Sequence, residues 1–256
     1  MQNKIIKYFK YARAMLPLFY LVKNWHKIPL LFFGFGKTAT IDIGDIKFNV
    51  RHFSDLLTIK EIYINDDYGI LKLKPKIVVD IGANIGTFSL LCNKNKYIRN
   101  VYSFEPDPLT YSLLEQNIKQ NFVKKIKTFR LAVNSRSTVM NFYSNAASGL
   151  SSLYNTRLGT KQYSTQTITL QEIFIKNNLK QIDYLKVDCE GGEYDIFLKS
   201  ADRYLKGIKQ CSIEYHDSLT SHHHNELVKR LKKVGFTVSV HSHPIETDIG
   251  ILYAKR

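Results

Sequence analysis

The sequence predicts an α/β fold in which a mostly parallel sheet carries helices on both faces. Short β-branched stretches such as "KIVVD", "VYSFE" and "DYLKVD" alternate with amphipathic helical patterns from residue 76 to the C-terminus. Signals for helix starts accompany this alternation, and no internal repeat is visible. Such a pattern is typical of parallel sheets whose strands are buried between two layers of helices.

Two segments precede this core. Residues 1–36 combine basic and apolar side chains, and we interpret them as an amphipathic helix, not as a linker. Residues 37–75 contain "TATIDIGDIKFNVR", whose apolar positions alternate around Gly44 and Asp45, so a β-hairpin is expected there. The predicted division of the chain is therefore 1–36, 37–75 and a ligand-binding domain over 76–256.

The first half of that domain is predicted as three strands and two helices. "KIVVD" is the first strand, a helix runs from Ile85 to about Asn95, and "VYSFE" is the second strand. Asp107 as N-cap and Pro108 in the first turn start the next helix. "IKTFRLAV" is the third strand. Residues 134–167, which are rich in Ser, Thr and Asn, predict a long loop or a small hairpin.

The second half continues the alternation. Thr169 and Glu172 form a capping box before a short helix, and "DYLKVD" and "QCSIEY" are the fourth and fifth strands. A helix around Leu227 ends before Gly235. "FTVSVH" and "IGILYA" then close the chain as an antiparallel pair.

Composition limits the class of protein. A chain of 256 residues with 44% hydrophobic content can hold one α/β domain with an appendage. Its net charge of +15 indicates an acidic partner or a lysine-rich surface. The scattered Cys92, Cys189 and Cys211 indicate neither a disulfide framework nor a thiolate zinc site, which favours a reducing cytoplasm. No apolar run reaches the roughly 18–20 residues of a spanning helix, and no signal-peptide cleavage site is recognisable.

The turn in "VVDIGANIGTFSLL" carries the first functional signal. Gly82 and Gly86 permit a tight turn and close approach of a ligand, and the following helix start offers free N–H groups. The dinucleotide fingerprint GxGxxG is incomplete, because Asn84 stands at its second glycine position. Asp80 at the strand end also disfavours phosphate. Ligands of such sheets bind beyond the carboxyl ends of the strands, where Asp80, Glu105, Asp188 and Glu214 all fall.

A ligand with an amino acid at one end and a ribose at the other fits this turn better. Its ammonium group can pair with Asp80, its carboxylate can lie at the helix start, and Glu105 can accept hydrogen bonds from both ribose hydroxyls. S-adenosylmethionine is such a molecule. The alternative is that Asp80 and Glu105 are strand-end acids satisfied by backbone N–H groups. The predicted cofactor-binding residues are Asp80, Gly82, Ala83, Asn84, Gly86, Thr87 and Glu105.

Four motifs, "VVDIGANIGTFSLL", "YSFEPDPLTYSLLEQNI", "LKVDCEGGEYDIF" and "SIEYH", in this order resemble the FkbM family of S-adenosylmethionine-dependent methyltransferases. The resemblance extends from about Ile41 to the C-terminus, and "KVDCEGGE" is its most specific part. It implies a class I methyltransferase, with a seven-stranded Rossmann-like sheet, that methylates hydroxyls of sugars, glycans or other small molecules. "RLAV" departs from the common pattern at Arg130 and Leu131, so the adenine contact is left unassigned.

Methyl transfer to a hydroxyl requires an aligned nucleophile and removal of its proton. Candidates follow the fourth and fifth strands, and the predicted catalytic residues are Asp188, Glu190 and His216, with Glu193 and Glu214 nearby. Asp188 or His216 would receive the proton, directly or through a divalent cation, and Glu190 would orient the acceptor or the metal. The alternative is that these acids only pair with the abundant Lys and Arg.

Other interpretations remain open at this point. A basic RNA methyltransferase, a nicotinamide oxidoreductase and a non-catalytic binding module each account for part of the pattern. The histidines at 222–224 invite a zinc interpretation, but no cysteine pair supports it. Residues 1–36 suit an anionic membrane surface, or they cover the catalytic domain or a partner subunit.

Overall fold

The computed structural model describes residues 16–32, 38–144, 151–152, 161–243 and 248–256. Its strands are β1 (Ala39–Ile43), β2 (Ile46–Val50), β3 (Ile77–Ile81), β4 (Asn100–Phe104), β5 (Ile126–Phe129), β6 (Ala132–Val133), β7 (Val139–Ser144), β8 (Ser151–Ser152), β9 (Lys161–Ile168), β10 (Ile182–Val187), β11 (Ile208–His216), β12 (Thr237–Ser242) and β13 (Ile249–Lys255). Its helices are α1 (Ile28–Phe32), α2 (Phe53–Lys60), α3 (Thr87–Lys94), α4 (Pro108–Gln120), α5 (Leu170–Lys176), α6 (Gly192–Lys199), α7 (Asp202–Lys206) and α8 (His224–Lys233). A π-helical turn over Glu61–Asn65 follows α2.

The centre of the molecule is a seven-stranded sheet with the order β12-β13-β11-β10-β3-β4-β5. β13 pairs antiparallel with both of its neighbours, and the other six strands share one direction. The chain proceeds outward from β3 to β5 and returns to β10 on the other side of β3. The gap between the carboxyl ends of β3 and β10 is therefore the topological switch point, where ligands of such sheets bind.

Helices cover both faces of this sheet, as predicted. Buried side chains of α3 and α4 form one core with β1, β2 and residues 18–31, and buried side chains of α5, α6 and α8 form the other core. The predicted caps are confirmed: the Asp107 carboxylate accepts the Leu109 and Thr110 N–H groups, and Thr169 and Glu172 form a capping box. The antiparallel pair at the C-terminus is also confirmed.

The third predicted strand is wrong in its second half. β5 ends at Phe129, because its neighbour β4 ends at Phe104 and offers no further partner for a ladder. The chain then leaves the sheet, and Ala132–Val133 pair with β9 in a separate four-stranded sheet of order β6-β9-β7-β8. In this sheet β7 and β9 are antiparallel, so the described part of residues 134–167 forms the predicted hairpin.

The β1–β2 hairpin is confirmed in the predicted place, with Ile43 opposite Ile46. It is joined to the helix layer of the seven-stranded sheet by Asn117 of α4, which is buried. The Asn117 amide accepts the Asn49 N–H at 2.7 Å and donates to the Ile85 carbonyl at 2.9 Å. The hairpin thus helps to hold the turn that follows β3.

The described part of the N-terminal segment is broken into several helical pieces. Residues 16–21 are helical, a 3₁₀ turn covers Trp25–Lys27, and α1 follows. The β-bridge between Val22 and Ile43 separates the first helical piece from the 3₁₀ turn. The rest of the predicted helix, residues 1–15 and 33–36, lies outside the described residues.

Candidate active site at the carboxyl edge of the sheet

The turn between β3 and α3 is built from left-handed backbone. Gly82, Asn84 and Gly86 have φ angles of 74°, 50° and 90°. A Cβ at Gly82 would lie 1.6 Å from the Asp188 carbonyl oxygen, and one at Gly86 would lie 2.6 Å from Leu114 Cδ1. The two glycines therefore allow the turn to pack against the loop after β10 and against α4. Sequence reasoning had expected the ligand, not the neighbouring loop, to require this space.

Glu105 lies just beyond β4 and holds the same turn. Its Oε2 accepts the Asn84 N–H and its Oε1 accepts the Asp107 N–H, both at 2.9 Å. Burial raises the pKa of Glu105 to about 7. Backbone N–H groups satisfy part of the hydrogen-bonding capacity of each Glu105 oxygen, as expected of a strand-end acid. The carboxylate also lines a cavity beside Asn84, as expected of a ligand-binding acid.

Asp80 is fully buried beneath the turn. Its Oδ2 accepts the Ser89 hydroxyl at 2.6 Å, and its Oδ1 lies 3.4 Å from Lys186 Nζ. Burial raises the pKa of Asp80, although Lys186 and Ser89 oppose that shift. Asp80 has no exposed surface, and its contact with a ligand ammonium group stays a prediction. Asp80 supports the turn from below.

Ala83 and Thr87 lie on the ligand side of the turn. Both line the larger of two cavities at this edge. The Thr87 hydroxyl is buried, and no partner within hydrogen-bond distance is found for it among the described residues. An unsatisfied hydroxyl at the start of a helix suits an anionic ligand group such as an amino-acid carboxylate.

Beyond β10 and β11, carboxylates surround the buried ring of His216. Glu193 Oε1 accepts the His216 backbone N–H at 2.9 Å and lies 3.3 Å from its Nδ1. On the other side of the ring, Nε2 lies 3.5 Å from Glu190 Oε2 and 4.0 Å from Glu214 Oε1. Glu190 itself has a φ of 52°, which a residue with a side chain rarely adopts, and such backbone is typical of functional sites.

These contacts shift the pKa values of His216, Glu190 and Glu214. Burial disfavours the charged imidazole, but Glu190, Glu193 and Glu214 outweigh it and raise the pKa of His216 well above its ordinary value. Burial raises the pKa of Glu190 to about 7, with His216 opposing, and that of Glu214 to about 8. The raised pKa favours the charged form of the ring, and the role of His216 as the base stays a prediction.

Asp188 lies between the turn after β3 and the acidic group around His216. Its Oδ2 lies 3.1 Å from the Tyr68 hydroxyl and 3.5 Å from Lys186 Nζ. The same Tyr68 hydroxyl lies 2.8 Å from Glu214 Oε2, and Lys186 Nζ donates to the Gly82 carbonyl at 2.6 Å. Burial opposes the charge of Lys186, yet Asp188 and Asp80 raise its pKa. One buried ammonium group therefore joins the turn after β3 to the acids after β10.

Sequence reasoning missed Tyr68 and Lys186. Lys186 could have been found, because a lysine in the apolar stretch "DYLKVD" must be paired if that strand is buried. Tyr68 had no comparable local signal, since 120 residues separate it from Asp188 along the chain.

Two cavities open at this edge and share part of their lining. The larger, of about 640 Å³, lies between the turn after β3, the acids of β10 and β11, and residues 57–68. The smaller, of about 70 Å³, lies between Glu105, Leu131 and Phe142. The residues common to both are Gly82, Asn84, Asp188 and Glu190.

The spacing of two residue groups within the described chain would also suit a metal ion. Ligand atoms of Asp188, Glu214 and His216 lie within 4.8 Å of one another, and so do those of Asp217, His223 and His224. The second group has a structural role, because His223 caps α8 and His224 Nδ1 lies 2.7 Å from Asp217 Oδ2. His222 Nδ1 lies 3.0 Å from Glu226 Oε2, so each histidine of the run at 222–224 has a partner at the start of α8.

The sheet order and the position of this site define a class I methyltransferase. A family model for the methyltransferase FkbM domain matches residues 80–238. The chain belongs to this family of S-adenosylmethionine-dependent methyltransferases, which decides against a nicotinamide oxidoreductase. The recognition made from the four sequence motifs is confirmed.

Relatives in several kingdoms support this assignment. Methyltransferase 1 of Beauveria bassiana is 27% identical over 222 residues, covering 77% of this chain and 88% of that protein. The 31-O-demethyl-FK506 methyltransferase FkbM of Streptomyces tacrolimicus is 25% identical over 253 residues, covering 85% and 93%. The hexuronic acid methyltransferase AglP of Haloferax volcanii is 24% identical over 180 residues, covering 66% and 70%.

A solved structure agrees on the fold. The crystal structure of methyltransferase FkbM from Methylobacillus flagellatus KT matches with a TM-score of 0.51 at 17% identity. The match covers 77% of this chain and 47% of that one, so this chain matches about half of the longer protein. The predicted seven-stranded Rossmann-like sheet is confirmed.

Proposed function

We propose that this enzyme transfers the methyl group of S-adenosylmethionine to a hydroxyl of a sugar, a glycan or another small molecule. The observation that carries the proposal is the shared lining of the two cavities: Asp188 and Glu190 border both the turn after β3 and the larger cavity. A cofactor seated on the turn would therefore present its reactive end to two carboxylates.

The residues around the turn fit this cofactor. Bound S-adenosylmethionine supplies a methyl group on a sulfonium, which is already a good leaving group. Thr87 and the N–H groups at the start of α3 would hold the amino-acid carboxylate, and Glu105 would accept from the ribose. The smaller cavity offers the apolar side chains of Leu131 and Phe142 to an adenine ring.

One of the two carboxylates that line both cavities, Asp188 or Glu190, would remove the proton. We propose Glu190 as the acceptor of the proton, because its pKa of about 7 is close to the working pH of most enzymes. Asp188, held by Tyr68 and Lys186, would orient the hydroxyl. The protonated His216 would then stabilise the negative charge of Glu190 before transfer. As the oxygen–carbon bond forms and the carbon–sulfur bond breaks, the hydroxyl proton passes to Glu190.

The acceptor class is supported by the relatives and by the cavity. The relatives' names specify a hexuronic acid and a demethylated FK506 as methyl acceptors of those proteins. A cavity of about 640 Å³ is within the range that holds small molecules. Nucleic acid, the other acceptor class considered from the charge of +15, has no comparable support.

The experiment is methylation of a fractionated host extract with methyl-labelled cofactor, followed by analysis of the labelled atom. We expect label on oxygen. Turnover of Glu190→Gln should fall by about 10²–10⁴-fold, the usual contribution of a general base. Asp188→Asn and His216→Gln should lower it less. Label on nitrogen or carbon would contradict O-methylation, and turnover of Glu190→Gln within about threefold of wild type would contradict the assignment of the base.

A divalent cation stays a prediction. Asp188, Glu214 and His216 have suitable spacing, and a bound cation would acidify the acceptor hydroxyl. Measuring turnover of the wild type with and without a chelator tests this directly. Asp217→Asn is the matched control, because it removes a carboxylate from the other group of suitable spacing, Asp217, His223 and His224. If chelation does not change turnover, the cation is excluded and only proton removal by a carboxylate remains.

A further inference from the structure

An exposed apolar surface lies near the N-terminus, on the side chains of Leu16, Phe19, Tyr20 and Trp25, which we call the aromatic face. These four are 56%, 40%, 93% and 51% exposed. The rings of Phe19 and Trp25 lie 6.0 Å apart, so the face is continuous between them. Trp25 is also the single tryptophan of the chain. A group of exposed apolar side chains close together commonly marks an interaction site.

The segment that carries the aromatic face is firmly attached to the protein. Leu18 and Val22, on its other side, are buried in the core, and Val22 forms a β-bridge with Ile43. The Lys23 N–H donates to the Asp42 carbonyl at 2.9 Å. The Asn24 side chain donates to the Thr40 carbonyl and accepts the Asp42 N–H, both at 2.9 Å. The segment is thus satisfied on its inner side and still presents four apolar side chains outward.

The three most exposed large apolar side chains elsewhere among the described residues are separated in the fold. Phe122, Val139 and Ile175 are 89%, 61% and 61% exposed, but each belongs to a different part of the fold. Isolated exposed side chains need no partner. The aromatic face differs because its four members fall within ten residues.

Charge indicates which partner the aromatic face would meet. No acidic residue precedes Asp42 in the sequence, whereas seven lysines and arginines do: Lys4, Lys7, Lys10, Arg13, Lys23, Lys27 and Lys37. Lys23, which the structure describes, is exposed between Tyr20 and Trp25. Tryptophan and tyrosine beside basic side chains are the composition of helices that lie in the headgroup region of anionic bilayers.

We propose that the aromatic face docks this enzyme on an anionic phospholipid surface. Docking is peripheral in this proposal, and no helix of the described residues is long and apolar enough to cross a bilayer. The partner would supply negative headgroups for Lys23 and an interfacial layer for the three rings. The proposal does not depend on the acceptor or on the catalytic residues.

The test uses the full chain with phosphatidylcholine vesicles and with vesicles that also contain phosphatidylglycerol. Trp25 is the single fluorescent tryptophan, so its emission reports on this surface alone. We expect a blue shift and flotation only with the anionic vesicles, both reduced at high salt, because exposed charges are screened.

Variants locate the contact. Phe19→Ser/Tyr20→Ser/Trp25→Ser should float at least tenfold less well, whereas Phe122→Ser/Val139→Ser/Ile175→Ser should float like wild type. Lys23→Gln should lower the partition coefficient about fivefold, which corresponds to the roughly 1 kcal/mol of one basic residue near such a surface. S-adenosylhomocysteine binding by every variant confirms that it is folded.

Three results would overturn the proposal. Wild type that stays in the lipid-free fraction with both vesicles excludes the lipid partner. Equal losses in the two triple variants show general adhesion and not a defined surface. A dimer in sedimentation that is lost in the first triple variant, together with no flotation of wild type, makes the aromatic face a contact between two copies of the chain.

Discussion

Two neighbouring regions of one sheet edge hold the active site in different ways. The turn after β3 is fixed by backbone sterics, with Gly82, Asn84 and Gly86 in left-handed conformation. The region after β10 and β11 is fixed by charge, with three carboxylates around the protonated ring of His216. The first region should therefore be sensitive to any added side-chain atom, and the second to protonation. Lys186 contacts both, so that each region depends on the other for its position.

The largest effect on stability is expected at Gly82. In Gly82→Ala the new Cβ would lie 1.6 Å from the Asp188 carbonyl oxygen, and the φ of 74° would also be strained. We expect a loss of about 2–5 kcal/mol in the free energy of unfolding, from about 1–2 for left-handed strain and about 1–3 for overpacking. Cofactor binding should be lost with it. Thermal unfolding and calorimetric titration with S-adenosylhomocysteine measure both effects.

Gly69→Ala is the matched control. Gly69 has a φ of 66°, but a Cβ there would meet nothing closer than Tyr253 Cε1 at 3.8 Å. It should lose only the strain, about 1–2 kcal/mol, and keep its ligand affinity. If Gly82→Ala and Gly69→Ala lost the same free energy of unfolding, the close approach of the turn to the loop after β10 would not explain the need for glycine at position 82.

An intermediate effect is expected from pH on the apo protein. The pKa of Glu105 and Glu190 is raised to about 7 and that of Glu214 to about 8. The folded chain therefore holds protons that unfolded glutamates release above a pKa of about 4.5, and stability should fall as the pH rises from about 5 to about 8. His216, whose pKa is also raised, acts in the same direction above about 6.5.

Calorimetry at pH 6 and pH 8 checks this prediction, with the higher melting temperature expected at pH 6. Glu190→Gln should flatten the dependence, because it removes one of the titrating groups. Carboxyls with a lowered pKa, such as Asp183 and Asp217, titrate below this window and should not contribute. A wild type that melts at higher temperature at pH 8 would contradict the charge-based account of this region.

A smaller effect is expected on ligand affinity. In the proposed function Glu105 would accept hydrogen bonds from the ribose as a carboxylate, and burial raises its pKa to about 7. Affinity for S-adenosylhomocysteine should therefore rise by up to about tenfold between pH 6 and pH 8, as the ionised fraction of Glu105 grows. Glu105→Gln should show little pH dependence. Equal slopes in wild type and variant would assign the pH effect to another group.

The parts of the fold that sequence predicted are those with local causes. The Asp107 cap, the Thr169–Glu172 box and the β1–β2 hairpin each depend on residues a few positions apart. The seven-stranded sheet followed from alternation of strand and helix patterns. The division of "IKTFRLAV" between two sheets was not predictable in this way, because it depends on where β4 ends and on β9, more than twenty-five residues further along.

The candidate site divides similarly. The glycine turn and Glu105 are recognisable in short motifs, and the structure places them at one cavity edge. The burial of Asp80 under the turn is not predictable from its position in the motif. The surroundings of His216 are not predictable either, because its distances to Glu190, Glu193 and Glu214 are set only by the packed fold.

The most direct test of the two-region account is one set of calorimetric titrations with S-adenosylhomocysteine and with NAD. A hydrogen bond to a charged group contributes about 1.5–3 kcal/mol, so Glu105→Ala should bind S-adenosylhomocysteine about ten- to a hundredfold more weakly than wild type. Glu190→Gln should bind it as wild type does, and NAD should not bind. Equal weakening in the two variants, or binding of NAD without S-adenosylhomocysteine, would contradict the separation of cofactor binding from acid–base chemistry.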